Sequence, residues 1–208
     1  MVRYLNLSVI VFTLMFLQKV FASEFDFSNN DYYAYYYYHQ ALSDDRIQNT
    51  PDSQKIDKIA KSIGMKGKDL KKVLEKADKI GEDPKAHSLS LIKLGLAETP
   101  LKGRILDVMI DDSDISHPVA YVQWIASDKD HLEIEALWVA YAIGQKIDFP
   151  KTVGVWAMHP KKTKTQKVFE ATVAFEHAKR IQSEKIEKYG KKLYFKAFEG
   201  VKYPNPIE

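Results

Sequence analysis

Near Gly103 the hydrophobic period of this chain switches from helical spacing to short apolar runs, and that switch limits the folds it can adopt more than any other feature. Upstream, Ile56, Ile59, Ala60 and Ile63 form one helical stripe, and Leu70, Val73, Leu74, Ala77 and Ile80 form a second. Gly64 and Gly67 separate the two, Gly81 is placed as a left-handed cap, and Asp83-Pro84 reads as a cap with proline at the first position of a third helix over 85–96. An earlier helix, capped by Asn30 or Asp31, is expected to run to about Arg46, with a linker over 47–54.

Downstream, 104–110 and 119–126 read as a strand pair, Ile134, Leu137, Trp138 and Tyr141 as a helix ending near Gly144, and 153–158 with 168–175 as a second strand pair across a basic loop at 159–164. In the last of these strands Phe169, Ala171, Val173 and Phe175 fall on one face, and Glu170, Thr172 and Glu176 on the other. A helix over 178–189 and a strand over 192–198 complete the pattern. The expected fold class is α+β: an N-terminal helical region of two to four helices over 23–99, then a mostly antiparallel sheet over 100–208 with two helices packed on one face.

The first 22 residues read as an export signal. Arg3 precedes an apolar run over 5–17, shorter than the roughly 20 residues a spanning helix needs, and Val20-Phe21-Ala22 offers a cleavage site, so the mature chain is expected to begin at Ser23 in a periplasmic or extracellular space. Lys19, next to that site, keeps an uncleaved membrane anchor as the alternative. The 208 residues include no cysteine, which removes disulfides, thiolate metal sites and cysteine nucleophiles together. Without disulfides, packing alone must hold an exported chain of this kind. Once Arg3 and Lys19 leave with the signal, Lys and Arg exceed Asp and Glu by one, so overall charge selects no polyanionic partner.

Local charge is more informative. Across 53–80 nine lysines face four acids. Ala60, Gly64 and Leu70 resemble the alanine, turn glycine and later aliphatic of a helix-turn-helix, which would place Lys66, Lys68, Lys71 and Lys72 at the start of a recognition helix. Any small helical hairpin needs the same three residues, and this helix has no Arg, Asn or Gln to read base edges. Nucleic acid is therefore a disfavoured partner, and an anionic envelope polymer or lipid headgroup fits the lysines better. The tract Tyr32, Tyr33, Tyr35, Tyr36, Tyr37 and Tyr38 covers most of a helix circumference, so it cannot face one core entirely. Either some of its rings contact another subunit, an envelope protein or a glycan, or the tract lies as a lid across the chain's own core.

Catalytic signatures are sparse. His131, Glu133 and Glu135 are spaced by two and miss the i, i+4 pattern of a helical zinc pair, while Asp111, Asp112 and Asp114 lack the glycine and later glutamate of a calcium loop and read as a turn. His177 with Glu176 reads as a surface pair. No nucleophile elbow or phosphate-binding glycine loop occurs, and no catalytic residue, metal or cofactor is assigned. The expected function is an exported, non-enzymatic interaction or accessory protein of the bacterial envelope that contacts partners through the tyrosine-rich helix and the basic helix pair. One alternative is an exported enzyme whose loop histidines His117 and His159 converge with an acid; the other is a membrane-anchored helix-turn-helix nucleic-acid binder.

Overall fold

The computed structural model describes residues 27–161, 164–205 and 207. The apolar run at 5–17 and the Val20-Phe21-Ala22 site lie outside the described residues. Within them the chain is α+β, with helices first and a five-stranded sheet after them. The helices are α1 (Asn29–Ala41), α2 (Asp45–Gln48), α3 (Asp52–Ser62), α4 (Gly67–Ile80), α5 (Pro84–Ala97), α6 (Leu132–Lys146), α7 (Phe175–Ala178) and α8 (Ser183–Leu193). The strands are β1 (Ile105–Asp111), β2 (Val119–Ile125), β3 (Thr152–Lys161), β4 (Lys164–Ala174) and β5 (Phe198–Lys202). Among the described residues no helix is long and apolar enough to cross a membrane.

The strands lie side by side in chain order. Three neighbouring pairs are antiparallel, and β2–β3 is parallel. Parallel neighbours cannot be joined by a tight turn, and α6 is the crossover that joins these two. Its buried positions include Leu132, Ile134, Ala136, Leu137, Val139, Ala140 and Ile143, more than a single stripe, as befits a helix covered by the sheet on one side and by other helices on the rest. Gly144 is part of that fit: a Cβ there would lie 2.7 Å from the Ala178 backbone, so the missing side chain lets α7 seat directly on α6.

The helix-side face of the sheet carries Val108, Ile110, Ala120, Val122, Trp124, Val153, Val155, Ala157, Phe169, Ala171 and Val173, all buried. The opposite face carries Met109, Tyr121, Gln123, Trp156, Met158, Glu170 and Thr172, all half-buried. There the Tyr121 ring lies flat on Gly154, whose Cβ would come within 2.2 Å of it. Trp156 stands between Tyr121, at 4.7 Å, and the Lys167 ammonium, at 4.5 Å.

Several boundaries differ from the sequence reading. Helix α1 stops at Ala41 instead of Arg46, because Asp44 caps a separate short helix through the Arg46 N–H and so breaks the run. Residues 159–161 and 164 are strand, with His159 opposite Gln166 and Lys161 opposite Lys164, so the hairpin is longer than its apolar segments. The expected strand over 192–198 is the end of α8 and a 3-10 turn (Phe195–Ala197), and β5 begins only at Phe198. The local aromatic alternation there is overridden because the Tyr194 N–H continues the helix to the Gly190 carbonyl, and Phe195 stacks on Phe198.

Candidate functional site

The tyrosine helix is anchored by its hydroxyls as much as by its rings. The N-terminus of α1 is closed by a capping box between Ser28 and Asp31. One turn on, Tyr32 is fully buried, its ring stacked on Phe149 at 4.1 Å, and its hydroxyl donates to the Asp112 carboxylate at 2.9 Å. The Lys85 ammonium holds the other Asp112 oxygen at 2.6 Å. Burial pushes the Asp112 carboxyl up, but the Lys85 ammonium and the Tyr32 hydroxyl outweigh it, so the group titrates below the ordinary carboxylate range. Tyr36 donates to Asp83 at 2.8 Å and accepts from the Lys85 N–H at 3.2 Å, which ties α1 to the cap of α5. Burial, with the carboxylate each hydroxyl meets, raises the pKa of both phenols. Tyr35, Tyr36, Tyr37 and Tyr38 are partly buried against the core, and Tyr33 pairs with Tyr37 on the flank at 5.7 Å.

The lysine pair has the opposite character. Ala60 and Leu70 are fully buried between α3 and α4, Gly64 takes φ +69° in the turn, and Gly81 takes φ +72° as the cap of α4. The helix-turn-helix shape is therefore present. The N-terminus of α4, however, is occupied: a Cβ on Gly67 would lie 1.6 Å from the Asp57 carboxylate oxygen, so a phosphate approaching that end of the helix meets a negative charge. Lys66, Lys68, Lys71 and Lys72 are all exposed. Of these, Lys71 alone makes an ion pair among the described residues, with Glu75 at 4.0 Å. Lys76, on the inner side of α4, instead reaches Asp31 at 2.9 Å and lies over the Phe27 ring.

The structure brings part of the two sets together. Tyr33 and Lys66 line one shallow depression of about 430 Å³, with Asn30, Ala34, Ile63, Gly64, Met65 and Asp69. Tyr32 is on the far side of α1 and does not take part.

The histidines do not assemble. Val119 pairs with Thr152 and Ile125 with Met158, so His117 and His159 sit beyond opposite ends of the β2–β3 ladder, which itself spans about 20 Å at roughly 3.3 Å per strand residue. His117 is exposed and turned onto Asp114 and Ser116. His131 pairs with Asp128, which raises its pKa through that hydrogen bond, and Glu133 takes the Tyr203 hydroxyl and Lys191. Burial, together with the Glu133 carboxylate, pushes the Tyr203 phenol up to about 12. Glu135 is only 4% exposed and binds Arg104, the Trp124 indole N–H at 2.8 Å and the Ser127 N–H, linking the start of α6 to the ends of β1 and β2. Among the described residues no group of three or more His, Asp or Glu side chains could hold a metal ion.

Sequence reasoning missed two polar positions. Asp112 read as one member of a turn, yet it receives both Tyr32 and Lys85, partners 80 and 27 residues away. His87 lines the cleft between α5 and the end of α6, about 560 Å³, where it meets Glu82 at 2.8 Å, and no spacing signal marks it. Comparisons with family models, with curated proteins and with solved structures find no match.

Proposed function

We propose that this chain is an exported, non-enzymatic interaction protein of the bacterial envelope that holds an anionic polymer on α3–α4 and the adjoining flank of α1. One observation carries the reading: Tyr33 and Lys66 share a depression at the turn before α4, the helix whose Lys68, Lys71 and Lys72 are exposed. An aromatic wall beside a row of cations suits a glycan or polymer bearing negative charge, because the ring takes apolar contact while the ammonium groups take the charge. Asp57 against Gly67 and the absence of base-reading side chains on α4 favour attraction without sequence preference over insertion into a nucleic-acid groove. The export part of the proposal rests on Arg3, the apolar run at 5–17 and Val20-Phe21-Ala22.

The test is retention of the full chain on immobilised long-chain polyphosphate. Replacing Lys68, Lys71 and Lys72 together by Gln is expected to abolish retention at moderate salt, and Tyr33→Ala to weaken it. Unchanged retention of the triple variant would mean that these lysines only solvate their helix.

A further inference from the structure

We propose that a second site, the groove between α7 and the end of α8, binds a single-chain amphiphile with an anionic head, of the fatty-carboxylate class. The 3-10 turn Phe195–Ala197 swings the chain from α8 to the edge strand β5 and leaves a gap of about 440 Å³ beside the turn that follows α7. Its floor is Val173, Ile181 and Phe198, all buried, and its outer wall is Leu193, which stays 45% exposed. Tyr189, one helical turn before Leu193 and 48% exposed, extends the apolar track along α8. The rim consists of His177, Arg180 and Lys196.

No acidic side chain lines this groove. Among the described residues none of the three rim side chains has a hydrogen bond or ion pair. That separates the groove from the open sheet face and from the cleft between α5 and α6. On the open sheet face Lys167 and Lys202 are both held by Glu170, and in the cleft between α5 and α6 Lys179 is held by Asp148 and His87 by Glu82. In this groove exposed apolar area coincides with positive charge that no described acid neutralises. A chain laid on Val173, Ile181 and Leu193 removes apolar surface from water, and a carboxylate at the rim accepts from the Arg180 guanidinium and the Lys196 ammonium. The size favours a small ligand over a protein: the volume falls within the roughly 300–1,000 Å³ of small-molecule sites, whereas a stable protein partner covers about 800 Å² per side.

The experiment is a fluorescence titration of the full chain with cis-parinaric acid, followed by displacement with palmitate, hexadecanol or acetate. The groove predicts that the probe binds, that palmitate displaces it, that hexadecanol needs about tenfold more, and that acetate does not compete. Replacing Arg180 and Lys196 together by Gln should weaken the probe about tenfold and leave hexadecanol unchanged, while Leu193→Glu should lose both. All three positions are exposed, so the fold tolerates the changes. Absence of probe binding, equal displacement by palmitate and hexadecanol, or an unaltered double variant would each overturn the proposal. Polyphosphate retention is read separately and is unaffected by any of these substitutions.

Discussion

Helices α1 and α4 pack against each other and solve the same problem in opposite ways. Helix α4 has a clean apolar stripe, Leu70, Val73 and Ala77, which buries one side and leaves the other to lysines. Helix α1 has no such stripe, since tyrosines surround it, and it is fixed by phenol-to-carboxylate bonds from Tyr32 to Asp112 and from Tyr36 to Asp83. A tyrosine presents an apolar body and a polar tip, so it can be buried from almost any helix position that finds an acceptor. Lys76 on the inner side of α4 reaches Asp31, whereas the exposed Lys68, Lys71 and Lys72 lie outside the stripe that packs the helix. The helix richest in interface-type residues thus spends most of them on its own fold, and the plainer amphipathic helix is the one left with a free surface.

Replacing Tyr32 by Ala should show the largest effect. It empties the stack on Phe149 and strips one partner from Asp112, and large aromatic truncations of this kind cost about 3–5 kcal/mol. Tyr33→Ala, on the flank of the same helix, is expected to cost less than about 1 kcal/mol. Urea midpoints measure both, and equal losses would erase the distinction between the two faces of α1.

The two regions also differ in how far they are readable from sequence. The boundaries of α3, α4 and α5 are legible because local chemistry ends them: Gly64 and Gly81 at positive φ, then Asp83 and Pro84. The first four strands are legible, as is the face presented by Phe169, Ala171 and Val173. The end of α1 is not, because Asp44 begins a new cap in a stretch whose periodicity continues. The start of β5 is displaced for the same kind of reason, since Phe195 and Phe198 satisfy strand-like alternation while the backbone still bonds back to Gly190. Of the candidate residues, the exposure of the lysines follows from the stripe opposite them. The burial of Tyr32 does not, because Asp112 and Phe149 reach it across 80 and more residues, and a helical wheel records only that some tyrosines must be covered.

A smaller effect should appear in Tyr32→Phe, which keeps the stack and loses the hydroxyl: about 0.5–1.5 kcal/mol. Its pH signature is more specific. The Asp112 carboxyl is depressed in the folded chain below its ordinary 3.8, so it contributes stability that is present above that value and is lost as pH falls toward the folded one. Between about pH 5 and pH 3, wild type should therefore lose stability more steeply than Asp112→Asn, and Tyr32→Phe should fall between them. Coincident acid limbs for all three would remove Asp112 from the clamp.

The smallest effect on stability is expected where binding changes most. Gln at Lys68, Lys71 and Lys72 should leave the urea midpoint within about 0.5 kcal/mol of wild type, since all three are exposed and their stripe is untouched. A large loss would show that α4, like α1, uses its polar side chains to hold the fold.

The division of labour between the two helices is tested most directly by the salt dependence of polyphosphate affinity, measured on wild type and on that triple-glutamine variant. Each lysine that displaces a counterion contributes roughly 0.7–0.9 to the slope of log K against log salt, so the variant's slope should be shallower by about 2 to 3. An unchanged slope and affinity would contradict the account, because the exposed lysines of α4 would then take no part in contact.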